Sequence, residues 1–261
     1  MAIKSIIDGC YEKIDSFLGI THIGKSPHFN HKSSYQYLSE NPKTEIDFEV
    51  LIFDLYKQIN NNMKDSSTGY DKLPSRENWR FNKQLNIDNT NTSPETTLEK
   101  ILIQSSDDNL INQVPTSSGL IGPTQDKKRN LDMVLRCSDS EYEFIELKVD
   151  SNTPVYAAME ILIYGLLFLF SVENKKQFEY DDKVIINAAV IHLIALAPYK
   201  YYSYDINWLE DELNKGLSNF FNKNKFNMKM DFCFQTFPEE FDWPSDDDAM
   251  IAFNNRKILY P

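Results

Sequence analysis

The chain is 261 residues long with 41% hydrophobic residues, enough for one large or two small domains with a proper buried core. Its net charge of −12 excludes a broad basic face of the kind that holds nucleic acid by charge alone. Three widely spaced cysteines, Cys10, Cys137 and Cys233, exclude a CxxC zinc ribbon or redox motif and fit the reduced thiols of a cytoplasmic protein.

Residues 1–19 interleave acids and bases with apolar positions, so no secretory signal is expected. Within residues 3–18, Ile6, Ile7, Cys10, Ile14 and Phe17/Leu18 recur at helical spacing, and Gly19 is a plausible stop. Residues 21–43 lack any period and read as a loop, with His22, His28 and His31 as surface histidines because no cysteine accompanies them. A second helix is expected over residues 45–60. Residues 61–93 are polar and irregular, pinned by Tyr70, Trp79 and Phe81.

Ser93-Pro94-Glu95 is a helix start, with a capping serine, a proline at the first position and an acid at the positive end of the helix dipole. That helix should run to about Gln104. Residues 131–137 and 142–149 read as strands, and Ser138-Asp139-Ser140-Glu141 between them is turn chemistry, so a β-hairpin is expected. Thr153-Pro154 opens a helix to about Glu173. Its apolar stretch 155–170 is interrupted by Glu160 and reads as a buried helix, so no membrane partner is expected.

Residues 184–197 form an apolar run typical of a central strand, with His192 as a hydrogen-bonded core imidazole outside any site. A helix over 208–222 and a strand over 226–237 follow, and Glu239, Glu240, Asp242, Asp246, Asp247 and Asp248 make a local acidic run. The fold class is α/β, a mixed β-sheet flanked by helices, with residues 1–92 as a helical and irregular N-terminal extension and 93–261 as the core with its C-terminal elaboration. No phosphate loop, nucleophile elbow or HExxH motif is present, so ATPase, serine-hydrolase and metalloprotease chemistry have no support.

The chemistry gathers in the hairpin. The two-residue period of a strand puts Phe144, Glu146 and Lys148 on one face and Ile145, Leu147 and Val149 on the other. A turn near Asp139 places Asp132 opposite Glu146 to within about one residue of register. Facing carboxylates repel by about 0.2–1 kcal/mol even when solvated, and a divalent cation would reward the arrangement. Two carboxylates, a strand carbonyl at Leu147 and several waters suit Mg²⁺, or Mn²⁺ in its place. Lys148 could orient or help deprotonate an attacking water, or offset charge growing on phosphoryl oxygens.

These residues resemble the PD-(D/E)xK nuclease superfamily: Asp132 in Asn130-Leu131-Asp132, then Glu146-Leu147-Lys148, with an acid-bearing helix before and a long helix directly after. Leu131 stands where the family's nominal proline would be. The resemblance covers roughly residues 93–200 and implies a restriction-endonuclease-like core and a metal-dependent nuclease, DNA favoured, in a restriction or defence setting. It further implies that Glu99, with Glu95 as rival, joins Asp132, Glu146 and the Leu147 carbonyl around the metal. Tyr164 would stand near the substrate, four residues after Glu160, where the family often has glutamine.

Lys127, Lys128 and Arg129, just ahead of Asp132, are candidates to clamp the nucleic-acid backbone. A homodimer or protein partner would be needed to cut both strands at once with one site per chain. The competing expectation, motivated by the net charge and by Glu160, is an inactive nuclease fold acting as a binding or assembly module.

Overall fold

The computed structural model describes residues 3–21, 28–66, 69–85, 93–122, 124–244 and 248–261. His22 and two acids of the C-terminal run, Asp246 and Asp247, lie outside the described residues. Helices α1 (Cys10–Phe17), α2 (Lys32–Glu40), α3 (Phe48–Asp65) and α4 (Pro94–Ser105) precede the first strand. The chain continues through β1 (Leu110–Pro115), β2 (Asn130–Ser138), β3 (Glu141–Leu147), α5 (Pro154–Glu173), β4 (Val190–Ala197), α6 (Asn207–Asn224), β5 (Lys229–Thr236), α7 (Ala249–Asn254) and β6 (Lys257–Ile258).

Among the described residues six strands lie side by side in chain order. β1, β2 and β3 are antiparallel neighbours, β3–β4 and β4–β5 are parallel, and β6 returns antiparallel to β5. α5 and α6 are therefore the crossovers that parallel pairing requires. This is the expected mixed sheet flanked by helices.

Alternation along the strands sorts the core into two layers. Tyr142 and Phe144 of β3 join a cluster with α1, α3, α5 and α6, whereas Ile145, Leu147 and Val149 join a second cluster with Leu98 and Leu102 of α4 and Ala252 and Phe253 of α7. Residues of the N-terminal third belong to the first cluster: Trp79 is fully buried, stacks on Phe144 and donates its indole N–H to Ser171 Oγ at 2.8 Å. α5 has the length and composition of a membrane span, but it is mostly buried between the sheet and α3.

Several elements differ from the sequence expectation. α2 forms inside the expected loop because Tyr35 and Leu38 are buried and the Tyr35 hydroxyl bridges Tyr204, donating to its carbonyl at 2.6 Å and accepting from its N–H at 2.9 Å. β1 has no counterpart in the sequence reading: Leu110, Ile111, Asn112 and Val114 are all buried, so no two-residue alternation marks it. The expected strand over 184–197 begins only at Val190, where the 3₁₀ turn Ile185–Asn187 ends and the Ala189 and Val190 N–H groups reach Ser140 O. His192 is half-buried on the sheet surface between Asp231 (2.7 Å) and Glu141 (3.0 Å), not in the core. The outer edge of β5 is closed by α6: Asn214 bonds both Phe232 N and O, and Glu210 accepts from Phe234 N.

Candidate active site

The β2–β3 register pairs Met133 with Ile145 and Val134 with Phe144, which sets Asp132 against Glu146; the turn pairs Ser138 with Glu141, and a one-residue irregularity between Arg136 and Ser138 shifts the ladder into that register. Asp132 Oδ2 accepts from Leu147 N–H at 2.8 Å, so the strand that carries Glu146 also orients the opposing acid. Lys148 follows β3 and continues its ladder, donating its N–H to Leu196 O at 2.9 Å. Its ammonium lies 2.5 Å from Glu146 Oε1 and 3.1 Å from Glu160 Oε2 on α5. Glu146 and Lys148 are both buried; among the described residues no donor reaches Glu146 Oε2, and the Glu146 carboxyl lies within side-chain hydrogen-bond reach of Asp132.

α4 brings the third acid. Its start is the one the sequence announces: Ser93 Oγ accepts from Thr96 N–H, with Pro94 in the first turn. Glu99, one turn on, is buried and accepts from Asn112 Nδ2 and Gln113 Nε2, each at 2.7 Å. Consecutive side chains of a regular strand point to opposite faces and cannot share one carboxylate. Gln113 resolves this with a left-handed backbone, φ 48°, between the pairs Asn112–Met133 and Val114–Leu131, a local twist that re-aims its amide without shifting the register. Arg80 supports the twist from the edge by donating to Asn112 O (3.1 Å) and Gln113 O (2.5 Å).

Glu95, the rival acid, has a different task. Its Oε1 accepts from the N–H groups of Val149, Asp150 and Ser151 at 3.2–3.4 Å, which fixes the turn after Lys148. Burial alone would raise its carboxyl, but the hydrogen bonds from Ser151 and Val149 outweigh that and hold it below the usual range.

The remaining ionisations show a site with more acid than it can keep charged. Burial, and then the charge of Asp132, push Glu99 up to about 7 against the pull of its two amide donors. Burial also pushes Asp132 up to about 6, although Lys148 and the Leu147 N–H act the other way. Glu146 is raised well above the carboxylate range by burial and by the charges of Asp132 and Glu160. For Lys148, burial favours the neutral amine, but Glu146, Glu160 and Asp132 overcome it and keep the ammonium well above its ordinary value. Lys148 is therefore held as an ammonium between Glu146 and Glu160.

Among the described residues no three His, Cys, Asp or Glu side chains close into a cage able to hold a metal by themselves. Mg²⁺ does not require one, since it is commonly held by one or two carboxylates with waters and substrate oxygens. The surplus of acids, with the Asp132 and Glu146 carboxyls in reach of one another and no donor on Glu146 Oε2 among the described residues, fits that kind of site. Leu147 contributes its N–H to Asp132 and its side chain to the second core cluster.

The other sequence candidates divide. Lys127 and Lys128 are exposed at the entrance to β2. Arg129 is half-buried and tied to Asp126 at 2.8 Å, and Asp126 in turn holds Ser5 Oγ and Ile6 N–H, so this arginine anchors the N-terminal segment. Tyr164 is buried, within electrostatic reach of Glu160, Glu146 and Asp132, and is a wall of the site instead of an exposed ring. Sequence reasoning missed Asn112, Gln113 and Tyr156, whose hydroxyl lies 3.4 Å from Glu160 Oε1. Only the helical spacing of Tyr156 and Glu160 left a trace in the sequence. Compared with known proteins, the chain matches no protein-family model, no curated protein and no solved structure.

Proposed function

We propose that this chain is a metal-dependent phosphodiesterase acting on nucleic acid, DNA favoured, of the PD-(D/E)xK kind, working in the cytoplasm. The observation that carries the reading is the meeting of Asp132, Glu146 and Lys148 at the hairpin, where the two buried carboxyls lie in reach of one another and no described donor reaches Glu146 Oε2. A helix with a buried acid before the hairpin and a long helix directly after it support the same family.

Asp132, Glu146 and the Leu147 carbonyl would hold the ion, with Glu99 behind them and its oxygens fixed by Asn112 and Gln113. A divalent ion held there polarises a phosphoryl oxygen and makes a bound water acidic. Leu147 N–H keeps one Asp132 oxygen oriented, which leaves the other for the ion. Lys148, held as an ammonium by Glu160, offsets negative charge as it grows on the phosphoryl group.

The net charge of −12 and the pairing of Glu160 with Lys148 favour a second reading, an inactive nuclease-like fold that acts as a binding or assembly module. The deciding experiment incubates the wild type, Lys148→Ala and Asp132→Asn, purified in parallel, with supercoiled plasmid, linear duplex, single-stranded DNA and RNA in Mg²⁺, Mn²⁺ and EDTA. The proposal expects cleavage by the wild type alone, abolished by EDTA. Cleavage that persists in both variants, or no cleavage together with no divalent-ion binding by calorimetry, overturns it.

A further inference from the structure

Beside the acids lies a group of aromatic rings that the chemistry of phosphodiester cleavage does not use. Tyr156, near the start of α5, presents its ring 5.7 Å from Lys148 Nζ. Phe29 stacks on Tyr156 with centroids 5.4 Å apart and planes at 18°, and His28 stacks on Phe29 at 4.4 Å and 24°. Tyr11 of α1 meets His28, Phe29 and Tyr156 edge-on at 5.8, 5.4 and 6.3 Å.

The group is built, not incidental. Phe29 is fully buried, and its backbone is clamped at both ends: Asp15 Oδ1 accepts its N–H at 2.9 Å, and Thr153 Oγ1, the cap of α5, donates to its carbonyl at 3.0 Å. Around it Tyr11, His28 and Tyr156 remain only half-buried, at the rim next to Lys148 and Glu160.

Charge limits what can rest there. A duplex gains affinity by placing many phosphates against lysine and arginine, and a chain of net charge −12 with Lys127 and Lys128 as the exposed cations ahead of β2 is poorly made for that. Stacking on ring faces takes any base, provided the base is unpaired, and adds affinity that a duplex with paired bases cannot gain, beyond what phosphate contacts supply. Resting on the phosphodiesterase reading of the site, we infer that the rim of Tyr11, His28 and Tyr156 receives an unpaired base beside the scissile phosphate, so that the substrate is single-stranded nucleic acid.

The test compares four fluorescent oligonucleotides of equal length: single-stranded DNA, single-stranded RNA, duplex DNA, and a DNA strand lacking its bases but keeping every phosphate. Binding is read by anisotropy in EDTA and cleavage in Mg²⁺ and Mn²⁺, for the wild type and Tyr11→Ala. The abasic strand tests the rim without altering the protein. The expected result is single-strand binding tighter than abasic binding by about 5- to 150-fold, the range for one stacked base, with a loss in the same range in Tyr11→Ala. Single strands should also be cut faster than the duplex.

Equal binding of intact and abasic strands, or a preference for duplex, overturns the inference even when cleavage confirms the enzyme. Base-dependent single-strand binding with no cleavage in either metal overturns the enzyme reading and leaves the rim standing. Failure to bind any of the four overturns both.

Discussion

The crowding of acids predicts that, without metal, this protein loses stability as pH rises across the range where most proteins are steadiest. Glu99 is 3% exposed and ionises at about 7 in the fold, against 4.5 for an ordinary glutamate. The folded state therefore holds this proton more tightly than the unfolded chain. The associated stability is full below about pH 4.5 and is lost as pH rises through about 7, a total of about 3 kcal/mol by pH 8. Asp132, raised from 3.8 to about 6, and Glu210, raised by burial from 4.5 to about 7, act with the same sign.

A divalent ion binds the ionised carboxylates, so its stabilisation should be largest at the alkaline end; at a hundredfold excess over its Kd it amounts to about 2.7 kcal/mol. The assay is urea denaturation at about pH 5, 6.5 and 8, in EDTA and in Mg²⁺. Glu99→Gln should flatten the EDTA slope while costing about 1 kcal/mol at the acid end, because one of its two amide donors loses its acceptor. An EDTA series that is flat or rises with pH, or a Mg²⁺ increment no larger at pH 8 than at pH 5, would refute the reasoning.

Two further outcomes follow from sites away from the hairpin. A Cβ added at Gly216 of α6 would lie 2.7 Å from Phe48 Cβ, 2.8 Å from the Phe48 carbonyl carbon and 3.0 Å from Glu49 N, where backbone cannot yield; at Gly165 of α5 it would meet the mobile ends of Met230 and Leu193 at 2.8–3.0 Å. Gly216→Ala should therefore cost about 1–3 kcal/mol and Gly165→Ala less, partly offset in both by alanine's helix preference, and thermal melts should rank them in that order. His192, raised to about 9 chiefly by its bond to Asp231, contributes stability present below about pH 6.5 and lost as pH rises through about 9. His192→Gln should cost about 1 kcal/mol at pH 6, since its partners are half-exposed, and almost nothing near pH 10; equal loss at both would show the histidine acting by packing alone.

The arrangement at the hairpin sits at the costly end of protein electrostatics. Lys148, Glu146 and Glu160 form a nearly buried cluster in which removal of the lysine leaves acids without their cation. Such breakage costs about 3–5 kcal/mol when the remaining charge stays buried, less where the acid takes up a proton, as the raised Glu146 can. Lys148→Ala is thus expected to fold with reduced stability, and activity comparisons belong well below its melting temperature.

What the sequence determined by itself is local and periodic. The two-residue period of β3 separated Phe144, Glu146 and Lys148 from Ile145, Leu147 and Val149. The turn placed Asp132 only to within one residue of register, and the irregularity between Arg136 and Ser138, which turn chemistry does not mark, decided that it faces Glu146 and not Leu147. The caps at Ser93 and Thr153 announced α4 and α5, because a side-chain oxygen three residues from an orphan N–H is a contact the chain makes with itself.

Tertiary structure decided the rest. β1 escaped notice because it is buried on both faces, and the left-handed Gln113 that turns two adjacent amides onto Glu99 has no sequence mark, being imposed by the packing of α4 and Arg80 around it. The separation of Glu95 from Glu99, the pairing of Glu160 with Lys148, and the approach of Tyr11 and Phe29 to Tyr156 join residues far apart in the chain, set by which helix face the core buries. Spacing rules act over one or two turns of chain, whereas these contacts depend on the closure of the whole fold.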